Sequence, residues 1–268
     1  MAGLWRLMAM EALIIAAIGL PLVMGPPFAL AALVLIAART GWESGHVNAL
    51  RAGTPRIEIS YFRIQSSVLC VAAVLGSWML ASRWSNPIAV VTILLLLMGL
   101  AVLARPARLP LLQVLILPAL PLAALAALIS EPRWYPALIV AFLFVETFDS
   151  FALLGGRFLG QRPLFPSISP RKTVEGLLSG LMGLAIVASV LNLLSFHLDW
   201  LRFALLLGVC SLVAVLGDLA ASIPKRSAGV KDYPPLHPAQ GGLLDITDSW
   251  LVAGPTFCVA VWVGGMMS

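Results

Sequence analysis

Residues 201–249 read LRFALLLGVCSLVAVLGDLAASIPKRSAGVKDYPPLHPAQGGLLDITDS. The run 201–221 is apolar and of a length that, at about 1.5 Å per helical residue, matches the roughly 30 Å core of a bilayer. A second apolar run, 249–267, follows. Between them, residues 217–249 hold four of the chain's 12 acidic residues (Asp218, Asp232, Asp245, Asp248), all but one of its lysines (Lys225, Lys231) and Arg226. A charged island set between two membrane-length runs decides the fold class: an all-α, polytopic integral membrane protein with its polar chemistry gathered at the ends of its spans. Carboxylates in such a place favour a hard divalent cation, and the cations beside them favour phosphate.

The rest of the chain agrees. It is 60% hydrophobic and 11% charged, whereas soluble domains carry about 25% charged residues; a soluble fold could not solvate that surface. In a soluble protein the net charge of +5 would hint at nucleic acid, but here it reads as cationic loops on one side of a bilayer. Cys70, Cys210 and Cys258 lie far apart in apolar runs, without metal-ligand spacing, and read as small buried hydrophobes.

By length and apolarity we expect nine spans, near 7–24, 27–40, 64–82, 87–104, 110–129, 134–149, 173–195, 201–221 and 249–267. Residues 1–130 form an N-terminal group of about five spans, and 131–268 a C-terminal catalytic region. Gly25-Pro26-Pro27 breaks the first pair, and Pro118 with Pro121 should kink the fifth. The first apolar run continues straight into a second, so no cleavable signal is expected.

With the N-terminus inside and the C-terminus outside, fourteen of the 17 Lys+Arg residues fall on the cytoplasmic side, leaving only Arg83, Arg133 and Arg202 outside. That places residues 217–249 on the nucleotide side of a bacterial-type inner membrane. Residues 41–63 read as a solvated connector with an interfacial edge at Trp42, Tyr61 and Phe62; lone His46 carries no ligand signal. Glu11, near the cytoplasmic end of the first span, reads as snorkelling to the interface. Glu146 and Asp149 end the sixth span three residues apart and so share a helical face. An anion there needs a reason, because a carboxylate at mid-membrane costs about 2.5–3.5 kcal/mol; Asp149 is assigned to the site.

In residues 155–176, GGRFLGQRPLFPSISPRKTVEG, the glycines fit no phosphate-loop or dinucleotide spacing. Ser169 or Thr173 should cap the following helix, and a helix start flanked by Arg171 and Lys172 suits an anion.

In residues 217–249 the chain leaves the membrane at Asp218 and re-enters at Asp245 and Asp248, which share a face near a helix start. Three carboxylates at similar depth suit Mg²⁺, which polarises an attacked phosphorus while Lys and Arg stabilise a departing pyrophosphate.

Ser222-x-x-Lys225-Arg226-x4-Lys231-Asp232, followed by Gly241-Gly242-x-x-Asp245-x-x-Asp248, closely resembles the signature of the phosphatidate cytidylyltransferases, or CDP-diacylglycerol synthases. Asp149 and Ser169-Pro170-Arg171-Lys172-Thr173-x-Glu175-Gly176 resemble that family's second segment. The resemblance covers roughly residues 145–255. It implies a membrane enzyme that joins CTP and phosphatidate into CDP-diacylglycerol and pyrophosphate with one Mg²⁺ ion or two, working as a homodimer. It makes Asp218, Asp245 and Asp248 the metal-linked carboxylates and sets Lys225, Arg226 and Lys231 on phosphate groups. Ser222, Asp232, Asp149, Arg171, Lys172 and Gln240 are the further residues expected at the substrate. The nucleophile would be the lipid's own phosphate oxygen, so no Ser–His or Cys–His device is required.

The chain departs from the pattern at Gln240, where the signature has His, at Ile246, where it has Arg, and at Ala221, Pro224 and Ala239. Gln keeps a hydrogen bond but not a proton, and losing the Arg removes one phosphate-competent cation; His237 is an alternative imidazole. These departures keep open the same transfer to another lipid or polyprenyl phosphate. A transporter or a non-catalytic scaffold is the reading from another class. A transporter would pair its charges near the midplane in broken helices, whereas here they crowd toward the cytoplasmic ends.

Overall fold

The computed structural model describes residues 16–17, 19–84, 86–103, 110–166, 168–197, 199–236 and 241–266, the side chains of Leu103, Ser195 and Phe196 excepted. The expected first span, Glu11, His237 and Gln240 therefore lie wholly or largely outside the described residues.

Among the described residues the fold is carried from Pro26 onward by α1 (Pro26–Arg51), α2 (Arg56–Arg83), α3 (Pro87–Leu103), α4 (Pro110–Ile129), α5 (Tyr135–Leu159), α6 (Val174–Leu191), α7 (Trp200–Ser227) and α8 (Leu243–Val263). Six of the described helical segments are long and apolar enough to cross a membrane, and Pro87–Val102 is a shorter apolar helix. An all-α membrane protein is thus what the sequence folds into. One element departs from it. Pro163–Phe165 (β1) and Ser169–Thr173 (β2) form a two-stranded antiparallel hairpin between α5 and α6, with Pro163 opposite Thr173 and Phe165 opposite Ser169.

The outward residues of α2, α3 and α6 are large and apolar, as lipid contact requires, whereas α4 is almost wholly buried at the centre. The kink expected in α4 is present. Leu117, before Pro118, has non-helical φ −146° and ψ 118°, within a π-turn over Leu115–Ala119. Its freed carbonyl does not go unpaired, because Ser44 Oγ of α1 donates to it at 3.1 Å.

Residues 41–51 overturn the expected connector. The helix begun at Pro26 runs on to Arg51, and α2 starts at Arg56, so only four residues separate them. Two contacts make the extension worthwhile. Gly41 and Gly45 face α2, where a Cβ would stand 2.7 Å from Ser66 O and 2.6 Å from Ser66 Oγ, so the helices meet at small-residue distance. On the opposite face, Glu43 is completely buried against the start of α8.

The hairpin is fixed at its base. Val174 N donates to Arg162 O at 2.9 Å. Glu175, in the first turn of α6, accepts from Gln161 N at 3.0 Å, Arg162 N at 3.1 Å and Arg162 Nε at 2.8 Å. Thr173, not Ser169, caps α6: its side chain accepts from Gly176 N at 3.1 Å. Three prolines in eleven residues (Pro163, Pro166, Pro170) disfavour helix here.

Candidate active site

Helices α7 and α8 pack together and converge at one end, where the chain between them carries the charged island. They meet closely at Gly217, where a Cβ would stand 2.7 Å from Asp248 O, so glycine is needed at this crossing. The next residue on α7 is Asp218, and Asp248 lies opposite on α8. Asp248 interacts electrostatically with Asp218, Lys225, Lys172 and Asp149, so α5, β2, α7 and α8 each bring a charge to one place.

Within this cluster Lys172 pairs with Asp218, linking the hairpin to α7. Burial disfavours the Lys172 ammonium, but Asp218, Asp149 and Asp248 around it outweigh that effect and hold its pKa above the ordinary lysine value. The Ser249 hydroxyl donates to Asp248 Oδ1 at 3.4 Å, and Asp149 lies close enough to Lys172 and Asp218 to act on both. Asp248 is buried; its Oδ1 accepts from Ser249 N at 2.7 Å, while Oδ2 has no hydrogen-bond partner among the described residues.

Asp245 is employed differently. Its Oδ1 lies 2.5 Å from Lys225 Nζ, and its Oδ2 accepts from Tyr233 N and from Gly242 N, each at 2.8 Å. Both oxygens are thus committed, one to the buried Lys225 and the other to the two ends of the loop. Tyr233 is buried under the loop, its hydroxyl donating to Ala221 O at 3.1 Å and its ring 5.0 Å from Lys225 Nζ. Burial, with Asp245, Asp248 and Glu43 nearby, pushes that phenol well above its usual pKa.

The remaining expected residues divide. Ser222 is buried one turn after Asp218. Arg226 turns to backbone: Nε donates to Ile168 O at 2.8 Å and Nη1 to Val230 O at 3.2 Å, tying the hairpin to the end of α7. Lys231 and Asp232 pair with each other at 3.3 Å, both about half exposed. Arg171 is exposed on β2 beside the cluster.

Two residues that sequence reasoning missed are Arg39 and Glu43 of α1. Glu43 Oε1 accepts from Leu243 N at 2.9 Å and from Arg39 Nε at 2.6 Å, and Oε2 from Leu244 N at 2.8 Å. Arg39 Nη2 donates to Pro234 O at 2.9 Å and to Pro235 O at 3.1 Å. The one sequence signal was an Arg–Glu pair at i,i+4 ending an apolar run.

Among the described residues no group of three or more His, Cys, Asp or Glu side chains is arranged to hold a metal ion alone. Mg²⁺ rarely uses such a cage; it takes one or two carboxylates and completes its shell with water and substrate phosphate oxygens. The unpartnered Asp248 oxygen and neighbouring Asp218 fit that pattern, and Lys172 and Lys225 stand beside them.

Comparison with known proteins bears on this arrangement. Residues 6–263 match the cytidylyltransferase family. A phosphatidate cytidylyltransferase of Staphylococcus aureus is 38% identical over 120 residues, 44% of this chain and 46% of that protein. The chloroplastic phosphatidate cytidylyltransferase 5 of Arabidopsis thaliana is 43% identical over 122 residues, 44% of this chain and 30% of that protein. A phosphatidate cytidylyltransferase of a Synechocystis species is 41% identical over 121 residues, 44% of this chain and 40% of that protein. The matched stretch spans less than half the length of each of these relatives.

Proposed function

The chain belongs to the cytidylyltransferase family, and on that premise we propose that it transfers a cytidylyl group from CTP to phosphatidate, giving CDP-diacylglycerol and pyrophosphate. The observation that carries this reading is the convergence of Asp218 and Asp248 with Lys172 and Lys225 where α7 and α8 meet. A buried carboxylate oxygen without a partner is costly unless a ligand uses it.

The lipid phosphate oxygen attacks the α-phosphorus of CTP. The new P–O bond forms as the α–β bridging bond breaks, and its electron pair leaves with pyrophosphate. A Mg²⁺ ion held by Asp218 and Asp248 would supply Lewis-acid polarisation of the phosphate oxygens. The chain's own part is electrostatic and positional. Lys225, desolvated and fixed by Asp245, stands ready for phosphate charge, and Lys172 reaches the same place from the hairpin. Both lysines are neutralised by aspartates in the structure as described, and incoming polyphosphate competes for them. Exposed Arg171 and Lys231 raise the local concentration of a polyanion. Arg226 contributes by holding the hairpin against the loop, and Ser222 and Asp232 flank the lysines on α7 and the loop.

This site faces the cytoplasm in our reading. Nine crossings with the N-terminus inside keep the cationic segments, Lys172, Lys225 and Lys231 among them, on the nucleotide side. Ile246 supports a second reading, transfer to another lipid or polyprenyl phosphate, because the cation expected there is gone.

The test is an assay of purified protein with radiolabelled CTP against phosphatidate and a panel of other lipid and polyprenyl phosphates, with and without Mg²⁺. Mg²⁺-dependent labelling of phosphatidate is expected. Label on another acceptor alone would replace the substrate, and no labelled lipid from any acceptor would remove the enzyme reading.

A further inference from the structure

A buried carboxylate from the opposite end of the chain organises the start of α8. Glu43, 200 residues before Leu243, accepts both N–H groups of the first helical residues, Leu243 and Leu244. Asp245 accepts the N–H of Gly242, and Asp245 N donates to Gly242 O at 3.1 Å. Every backbone donor from Gly242 to Asp245 is therefore taken. The end of α8 that would otherwise bind an anion is closed by the protein's own carboxylates, and substrate phosphate is left to the lysines.

The contact is built rather than incidental. At Gly242 a Cβ would stand 2.7 Å from Glu43 Cδ and 2.7 Å from Tyr233 Cβ, so only glycine admits the carboxylate. Arg39, held by Glu43, reaches the carbonyls of Pro234 and Pro235 at the other end of the loop. One ion pair on α1 thus fixes both ends of the segment that carries Tyr233 and leads into Asp245 and Asp248.

We infer that Glu43, with Arg39, is a positioning residue for cytidylyl transfer: it sets the start of α8, and through it the placement of Asp245 on Lys225 and of Asp248 beside Asp218. The inference rests on the proposed transfer reaction. It follows from the separation of roles that Glu43 touches neither substrate nor metal, so its loss lowers turnover far more than it weakens CTP binding.

The experiment compares wild type, Glu43→Gln, Glu43→Asp, Gly242→Ala and the Glu43→Gln/Gly242→Ala double variant. It measures kcat, KM for CTP and hydrogen–deuterium exchange over residues 241–250. Glu43→Gln should lose about 100-fold in kcat, the scale of an ångström-sized misplacement, with KM within about threefold. Glu43→Asp should recover part of the loss. Gly242→Ala breaks the same contact from the other side, so the double variant should be no worse than the poorer single. Exchange over 241–250 should rise in Glu43→Gln, a readout that stands whether or not any product forms. A Glu43→Gln enzyme with wild-type kcat, multiplicative losses in the double variant, or unchanged exchange would overturn the inference. If Glu43→Gln does not accumulate, Arg39→Gln, which removes the Pro234–Pro235 tether and the ion pair to Glu43 but leaves the Leu243 and Leu244 N–H groups on the carboxylate, should show about a tenfold loss in kcat, and wild-type kcat there would overturn it equally. An inactive wild type would count against the proposed reaction, with the exchange arm still deciding the role of Glu43.

Discussion

Lys172, on a hairpin strand between α5 and α6, forms an ion pair with Asp218 on α7. Two segments separated by a membrane-length helix are thereby closed over one carboxylate cluster. Asp149 and Asp248 act on the same ammonium, so Lys172 offsets three acids at the centre of the cluster.

Replacing that lysine should be felt in turnover. Lys172→Gln is expected to lower kcat by about 10²–10³-fold, the range for removing one donor aimed at developing charge. Lys172→Arg should retain more than Lys172→Gln, because the charge stays. Steady-state kinetics on purified variants reads both; equal activity in Lys172→Gln and wild type would remove Lys172 from the site.

Asp248 should show a trade between stability and activity. Its Oδ2 is buried without a partner, so Asp248→Asn should abolish turnover while leaving Tm in detergent unchanged or higher, since a desolvated charge is relieved. Mg²⁺ at 100 times its Kd would add about 2.7 kcal/mol to the wild type and little to Asp248→Asn. A wild-type Tm that ignores Mg²⁺ would contradict the assignment of a metal to Asp218 and Asp248.

Asp245→Asn should fail for another reason. The amide cannot hold Lys225 as a carboxylate does, and its NH₂ group would face a backbone N–H. Loss of turnover is expected together with a lower Tm, by about 1–3 kcal/mol of stability for the unsatisfied group. A lower Tm for Asp245→Asn beside an unchanged or higher one for Asp248→Asn separates the holding carboxylate from the ligand-ready one.

Ser44→Ala tests the packing beneath the site. Ser44 Oγ satisfies the carbonyl that the kink at Leu117–Pro118 releases, so its removal should cost about 1–3 kcal/mol. Thermal unfolding should report that loss, with CTP KM unaltered.

These expectations show how much the sequence carries. Apolar runs long enough to span are legible because each is a local property, and α3, α4 and α6 fall close to where they are read, whereas α2 and α8 begin eight and six residues early and α5 runs ten residues past its expected end. The pairing of Lys172 and Asp149 with the charged island is legible too, because anions and cations near span ends have few partners. Glu43 is not. Its backbone partner Leu243 lies 200 residues away, and the hydrophilic run 41–51 looks like a connector until Gly41 and Gly45 are seen against α2. The hairpin escapes for a related reason: strands of three and five residues are too short to display alternation. Arg226 shows the limit of charge reading, since a cation in a phosphate-binding pattern turns out to hold the carbonyls of Ile168 and Val230.

The most direct test of the central claim follows the two ends of the nucleotide. Purified protein is incubated with phosphatidate, Mg²⁺ and CTP labelled on either the α- or the γ-phosphate. Label from the α-phosphate should enter the lipid phase, label from the γ-phosphate should leave as pyrophosphate, and Asp248→Asn should transfer neither. Label from the γ-phosphate in the lipid, or α-label transfer undiminished in Asp248→Asn, would contradict the account.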